Sequence, residues 1–264
     1  MSNSSLPSEE KPRLELPSVT LCAVTSVNVR ATLAAMQASR EQISFGDSLL
    51  LSDVDVAVPA GIRRTPIQPL RSAANYSHFM LRELADHIRT EHVLVVQWDG
   101  FVLDAAQWTD AFLDCDYIGA PWPQFSDDRK VGNGGFSLRS RRLLRACQDE
   151  RFEAEHPEDV AIGRLNRTFL EHQGCRFADD ALAESFSFER TVPSQPTFGF
   201  HGAFNLIPLV GPDAFWRIYN MLDHRGPIRR DACLLQRQLG NQPQHWGWRL
   251  RLAADALLSN VGRR

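Results

Sequence analysis

Residues 92–103 read HVLVVQWDGFVL, and this stretch decides the predicted fold. The unbroken aliphatic run VLVV that follows His92 is typical of a strand buried on both faces. The run ends abruptly at Gln97, and Asp99 and Gly100 come soon after it. In an open α/β sheet, ligands bind just beyond the carboxyl ends of the strands, where this carboxylate could hold a divalent cation and a phosphate. The structural alternative is an Asp-Gly turn between two strands, because that dipeptide is a common hairpin signal.

The composition is that of a soluble globular protein with ample material for a core. Of the 264 residues, 43% are hydrophobic and 23% are charged, and the net charge of −3 indicates no basic field for nucleic acid or an anionic membrane. No apolar run reaches the roughly 18 residues that a membrane span needs, and the first residues are polar, unlike a signal peptide. The five scattered cysteines contain no C-x-x-C pair, which argues against disulfides and structural zinc. We therefore expect a cytoplasmic protein.

The first half of the chain alternates strands and helices. Residues 1–18 mix serine, proline and charge, which predicts a disordered leader. Strands are predicted at 19–24 and 48–52, with a helix at 29–42 between them, and this order implies a right-handed crossover and a parallel sheet. Apolar residues recur at helical spacing through 71–89, so we expect a helix that leads into the central strand.

The second half contains a glycine-rich block and ends in helices. Residues 131–140 read VGNGGFSLRS, in which glycines permit positive φ and a close approach of a ligand to the backbone. A helix is predicted to begin at Pro157 and to stop at Gly174, and a short strand is predicted at 175–178. Three helical stretches follow residue 208. We interpret 19–207 as one α/β domain and 208–264 as a helical extension packed on it.

Acidic and histidine side chains in separate blocks form a candidate constellation. Asp99 follows the central strand, Glu158 and Asp159 begin a helix, and His201 lies in a glycine-flanked turn. One carboxylate and one imidazole, completed by diphosphate oxygens and water, suit Mg²⁺ or Mn²⁺, which would neutralise a departing diphosphate. A separate carboxylate can deprotonate an incoming hydroxyl. Taken singly, however, the two acids are ordinary at a helix start, and the histidine could be structural.

The motif blocks resemble those of an uncharacterised bacterial and eukaryotic domain family of glycosyltransferase-like proteins. The blocks are VVQWDGFVL, DYIGAPWP, VGNGGFSLRS, PEDV and FGFHG, and the resemblance covers residues 19–205. Their order also resembles that of GT-A glycosyltransferases such as the β-1,4-galactosyltransferase and fringe-type families. The resemblance implies an α/β fold of the GT-A type, with a Rossmann-like mixed sheet flanked by helices.

The resemblance also implies roles for residues of the metal site and the catalytic base. Asp99 resembles the last acid of the D-x-D motif that holds the metal, and Gln97 stands where the first acid would be. His201 resembles the late histidine that completes the metal site. Asp159 resembles the acid that serves as base, with Glu158 beside it as the rival. The amide at position 97 lowers the negative charge of the site and its affinity for a metal.

Donor and acceptor contacts follow from the same resemblance. Gly134 and Gly135 resemble the donor and acceptor loop of the galactosyltransferases, and Trp122 in its Pro-Trp-Pro loop could stack on a sugar. Asn133 is assigned to the acceptor side. The remaining donor-binding candidates come from turns after predicted strands and from an R-x-x-x-N segment: Thr25, Ser26, Asp53, Arg71, Asn75, Tyr76 and Trp98.

These assignments predict a metal-dependent transferase that uses Mn²⁺ or Mg²⁺. It would move a sugar from a nucleotide-diphosphate donor, with UDP preferred, to a glycan or other hydroxyl acceptor, with inversion and without nucleic-acid partners. The alternative is a non-catalytic module that binds carbohydrate or nucleotide on a decayed scaffold, which Gln97 favours. A metal-dependent phosphohydrolase ranks last, because two-metal hydrolysis usually needs clustered acids.

Overall fold

The computed structural model describes residues 13–258, and its centre is a six-stranded mixed sheet. The strands of this sheet are β1 (Leu14–Val24), β2 (Ile43–Leu51), β3 (Arg63–Thr65), β4 (His92–Val95), β5 (Tyr117–Gly119) and β6 (Ser137–Ser140). The strand order is β3-β2-β1-β4-β6-β5. β1, β2, β3 and β4 are parallel, whereas β6 runs antiparallel to both β4 and β5. A separate parallel pair consists of β7 (Ser187–Phe188) and β8 (Gly199–Phe200).

Helices flank the sheet and form the end of the described chain. They are α1 (Val29–Gln42), α2 (Ala73–Arg82), α3 (Leu84–His87), α4 (Arg141–Ala146), α5 (Glu158–Val160), α6 (Arg167–His172), α7 (Asp180–Phe186), α8 (Leu206–Met221), α9 (Ala232–Leu239) and α10 (Trp246–Leu258). A π-helical turn, Ala161–Leu165, joins α5 to α6, and α8 is kinked at Gly211. The predicted α/β class, with a mixed sheet flanked by helices, is confirmed.

The central strand is β4, as the aliphatic run predicts. Val93, Leu94 and Val95 are fully buried, and the strand pairs with β1 on one side and β6 on the other. Because β6 is antiparallel, its first residue, Ser137, pairs with Val95 at the carboxyl end of β4. The glycine-rich loop before β6 therefore lies beside the turn that follows β4.

Several predicted boundaries are wrong. β1 begins at Leu14 rather than at residue 19, because Leu14 to Leu16 pair with the start of β2, which itself begins at Ile43. The part of the predicted leader in residues 1–12 lies outside the described residues. The predicted helix over 71–89 is divided into α2 and α3 at Glu83. The segment 175–178 contributes a single bridge and no strand.

The last helices pack on the α/β layer through α1. Ala31 and Ala35 of α1 belong to the same buried cluster as Phe215, Leu235 and Leu252 of the extension. No helix within residues 13–258 is long and apolar enough to cross a membrane.

Candidate functional site

The turn after β4 is closed by its backbone and aims a carboxylate inward. Gln97 and Gly100 exchange backbone hydrogen bonds of 3.2 and 3.1 Å, with Trp98 and Asp99 at the corners of the turn. Asp99 and Gly100 therefore form part of a tight turn, as the structural alternative predicted. Asp99 Oδ1 is nevertheless buried and has no hydrogen-bond partner. A side chain at Gly100 would lie 3.0 Å from the ring of His201, so the turn packs directly against the segment after β8.

Three polar side chains converge around the ring of His201. Its Nε2 lies 3.3 Å from Gln97 Oε1 and 3.6 Å from Asp99 Oδ1. Its Nδ1 lies 3.2 Å from Glu189 Oε1, and because a carboxylate can only accept, Nδ1 carries a proton. Asn133 Nδ2 donates to the other Glu189 oxygen at 3.1 Å. The ring is thus fixed in orientation, with Nε2 turned toward two oxygen atoms.

Burial and opposite charges act together on His201 and on the carboxylates around it. Burial by itself would lower the pKa of His201, but the carboxylates of Asp99 and Glu189 outweigh burial and raise it to about 8. Burial also raises the pKa of Asp99, against the opposing effect of His201. Two oxygens that face Nε2 are stabilised either by a proton on that nitrogen or by a metal ion in their midst.

The residues present fit a divalent cation of modest affinity. Asp99, His201 and Gln97 would supply two oxygen ligands and one nitrogen ligand, and Asp99 Oδ1 is a buried atom that accepts no hydrogen bond. Glu189 orients the imidazole in the way that outer carboxylates support histidine ligands of metals. Among residues 13–258 no group of three or more His, Cys, Asp or Glu side chains forms a metal site. The amide of Gln97 is therefore essential to the candidate set.

The loop 133–135 connects this cluster with the acids at the start of α5. A Cβ atom on Gly135 would lie 2.1 Å from His201 Nε2, so only glycine allows the loop to pass this close to the ring. The backbone N–H of Gly134 donates to Asp159 Oδ2 at 3.1 Å. One short loop therefore separates the candidate base from the candidate metal ligands.

The two adjacent acids differ sharply in their surroundings. Glu158 is 6% exposed, lies 3.3 Å from Arg139 and accepts a hydrogen bond from Ser77 at 3.2 Å. Asp159 is half-buried and accepts from backbone N–H groups only, those of Gly134 and Val160. Burial and the charge of Glu158 raise the pKa of Asp159 to about 6. Asp159 is therefore the acid that can exchange a proton near neutral pH, while Glu158 is held in an ion pair.

A cavity of about 340 Å³ lies at the carboxyl ends of β1 and β4. It is joined to the His201 cluster by Gln97, whose Nε2 donates to Tyr76 OH at 3.1 Å. The amino end of α2 and the extension complete its wall. The predicted ligand-binding residues that line it are Thr25, Ser26, Arg71, Tyr76, Gln97 and Trp98.

Other predicted site residues lie elsewhere. Asn75 is exposed on α2, outside the residues that line the cavity, and Asp53 also lies outside them, after β2. Trp122 is only 5% exposed, because Gly132 and Gly163 lie against its ring. Its ring is part of the packing beneath the loop and presents no open face to a sugar.

Sequence reasoning missed Glu189, the carboxylate that orients His201. The parallel pairing of Phe188 with Phe200 places the two residues that follow next to each other. Strands of two residues leave almost no periodic signal, so this register could not be read from the sequence.

Sequence reasoning also missed the wall that the extension contributes. His224 and Pro227 line the cavity. Their segment is held by Asn28, whose side chain donates to His224 O at 2.8 Å and accepts from His224 N at 2.7 Å. Asn28 has φ of 55°, a left-handed conformation that asparagine tolerates. Asparagine is an ordinary residue at a helix start, so nothing in the local sequence indicates the contact with His224.

These features define the class: an α/β protein with a ligand cavity and a carboxylate–imidazole cluster at one edge of a mixed sheet. The chain belongs to the family described as "Protein of unknown function (DUF5672)", whose model matches residues 60–201. The predicted membership of an uncharacterised family is thereby confirmed. The matched range contains the turn after β4, the glycine loop, both acids and His201, and it ends before the extension.

Comparisons with individual proteins identify no relative of known function by sequence, but they do identify similarity to solved structures. No curated protein sequence matches this chain. Among solved structures, the chain is similar to a glycosyltransferase involved in the glycosylation of the major capsid of PBCV-1. That structure is 12% identical, has a TM-score of 0.45, and is matched over 77% of this chain and 98% of its own.

Proposed function

We propose that this protein is a glycosyltransferase that moves a sugar from a nucleotide-diphosphate donor to an acceptor hydroxyl, with inversion. The observation that carries the proposal is the buried Asp99 Oδ1, which accepts no hydrogen bond and faces His201 Nε2 beside a cavity at the carboxyl ends of parallel strands. Cavities of this size hold small molecules, and this edge of an α/β sheet is where nucleotides bind. The order of the motifs, which resembles that of GT-A enzymes, agrees with it.

The donor would lie across the cavity. Thr25 and Ser26 follow β1, where hydroxyl groups can bind the base, and Arg71 precedes the amino end of α2. The amino end of α2, a helix of ten residues whose first turn is capped by Ser72, lies next to an arginine, and the helix dipole and the guanidinium together favour a diphosphate there. UDP is the nucleotide to test first.

The metal and the base would lie on opposite sides of the glycine loop. Asp99, His201 and Gln97 would hold Mn²⁺ or Mg²⁺, which supplies neutralisation of the charge on the departing diphosphate. Asp159 would take the proton from the acceptor hydroxyl, since it is half-buried and its pKa is raised to about 6. Asn133 and Gly134 would line the acceptor side of the loop.

A thermal-shift titration tests the donor site. Nucleotide at about 100 times its dissociation constant should stabilise the fold by roughly 2.7 kcal/mol, a shift of a few degrees in Tm. We expect that shift with UDP only when Mn²⁺ or Mg²⁺ is also present. An equal shift in Tm with UDP in the presence and in the absence of the metal would contradict the metal-binding role assigned to Asp99 and His201.

The variant Asp99→Asn is expected to abolish the metal-dependent part of the shift. It removes the negative charge that faces His201 Nε2 while keeping the shape of the side chain. Asp53→Asn is the matched control, because Asp53 also has a buried oxygen without a hydrogen-bond partner but follows β2 and is not one of the candidate metal ligands around His201. An equal loss in both variants would mean that a general change in stability, and not metal binding, was measured.

The variant His224→Ala is expected to weaken nucleotide binding about three- to tenfold, since loss of one contact is worth about 1 kcal/mol. The fold should be unaffected, because Asn28 bonds the backbone of His224 and not its ring. His172→Ala, an exposed histidine at the end of α6, is the control. Isothermal titration of UDP gives both dissociation constants, and equal values would exclude the ring from the donor site.

A non-catalytic binding module is the second candidate, and the amide at Gln97 is the observation that favours it. Such a protein would bind nucleotide or glycan without turnover. Nucleotide binding without sugar release or transfer from any UDP-sugar tested would make it the better account.

A further inference from the structure

Charge is divided unequally between the two parts of the chain. Residues 208–264 contain nine arginines and four aspartates, a formal charge of +5. The preceding 207 residues carry −8, and the two parts together give the −3 of the whole chain. The whole-chain value, which predicts no attraction to an anionic membrane, thus conceals a basic extension.

The last helix presents an apolar stripe to solvent. Trp246, Leu250 and Leu257 of α10 are 61%, 72% and 68% exposed. Their spacing of four and seven residues puts them on one face of the helix, with Ala253 between them. Large exposed side chains that share one face are an interaction surface rather than scattered surface residues.

The stripe is distinct from the side of α10 that packs on the protein. Trp248 stacks on Trp216 with ring centroids 4.9 Å apart, and Leu252 is buried in the core of the extension. Trp246 and Leu250 of the stripe also line a shallow cleft of about 290 Å³, together with Gln236 of α9 and with Arg249 and Ala253. The structure therefore uses one side of α10 for packing and leaves the other open.

We propose that this stripe, defined by Trp246, Leu250 and Leu257, docks on an anionic lipid surface. Exposed arginines of the neighbouring segment, Arg230 and Arg237, lie on the same extension and would add electrostatic attraction to acidic headgroups. Tryptophan and leucine on one face of a helix, in a segment with a positive net charge, are the composition of helices that lie in the membrane interface. The helix would rest on the surface without crossing the bilayer.

A second copy of this chain fits the same surface less well. Pairing through the stripe would bring together two extensions that each carry +5, and like charges across an interface oppose association. Charge complementarity therefore favours an anionic lipid surface over a second copy of the chain as the partner of the stripe.

Vesicle co-sedimentation of the full chain tests the inference without reference to sugar transfer. With about 30% phosphatidylserine in phosphatidylcholine at low salt, we expect binding at least tenfold stronger than to phosphatidylcholine alone. Raising the salt to about 0.5 M should largely remove that difference, because screening shortens the reach of the arginines. Equal binding to both vesicles, or binding to neither, would overturn the inference.

Two variants test whether the stripe is responsible for vesicle binding. The triple change Trp246→Ser, Leu250→Ser and Leu257→Ser should reduce vesicle binding at least tenfold. The double change Leu165→Ser and Val192→Ser, at positions 50% and 94% exposed, is the matched control and should bind normally.

The double change Arg230→Glu and Arg237→Glu keeps the stripe and should reduce binding to anionic vesicles only. It provides a second test if the triple variant fails to fold. Sedimentation equilibrium of the unmodified chain tests whether the stripe binds a second copy instead. A dimer that the triple change dissociates would show that the partner is a second copy of the chain and not a membrane.

Discussion

Asp159→Asn is expected to reduce sugar transfer by about 10²- to 10⁴-fold while nucleotide binding stays unchanged, because positioned bases contribute that much to rate. The asparagine keeps the size of the side chain but cannot accept the proton of the acceptor hydroxyl. Donor binding should persist, because Asp159 contacts only the backbone of Gly134 and Val160. Initial rates at saturating donor, together with titration of UDP, separate the two effects.

The pH dependence gives an independent signature of the same residue. The pKa of Asp159 is raised to about 6, and the base must be ionised to act, so transfer should fall as the pH falls through about 6. Below that point the rate should decline roughly tenfold per pH unit, and the decline should be absent from the residual activity of Asp159→Asn.

Glu158→Gln serves as the comparison for this prediction. Glu158 is paired with Arg139, so its loss should lower stability rather than remove the pH-dependent step. If Asp159→Asn transferred sugar normally and Glu158→Gln lost the pH-dependent step, Glu158 would be the base and Asp159 would not.

Local sequence pattern was sufficient for the elements that form the middle of the fold. The aliphatic run identified β4, and α1 begins and ends at Val29 and Gln42, as its apolar spacing and polar start predicted. Ser140, the last residue of the glycine-rich block, caps α4, since its side chain accepts from Leu143 N. These features depend on residues close together in the chain.

Features that depend on distant pairing were not predictable. Leu14 and Leu16 look like part of a polar leader until β2 is present to pair with them. The position of Gln97 and Asp99 just after β4, in contrast, follows from the end of the aliphatic run. Asn28 and His224 meet across 196 residues of sequence, and no local pattern anticipates this contact.

Arg139→Met is expected to lower the free energy of unfolding by about 3–5 kcal/mol, the usual effect of breaking a buried ion pair. Arg139 is fully buried in β6, 3.3 Å from Glu158 Oε1, and it donates to Gly134 O and Ser137 Oγ at 3.3 and 3.1 Å. Methionine fills a similar volume but leaves Glu158 as a buried charge without its partner. Since domains are stable by about 5–15 kcal/mol, the loss should be plain in urea unfolding.

Rescue and control variants decide whether charge or packing is responsible. Adding Glu158→Gln to Arg139→Met removes the orphaned charge and should restore part of the lost stability, a coupling that only partners show. Arg145→Met breaks the exposed pair with Asp86 and should change stability far less. If the double variant were no more stable than Arg139→Met, the contacts to Gly134 and Ser137 would dominate. Arg139 would then support the loop 133–135 through its hydrogen bonds to Gly134 O and Ser137 Oγ rather than through its charge pair with Glu158.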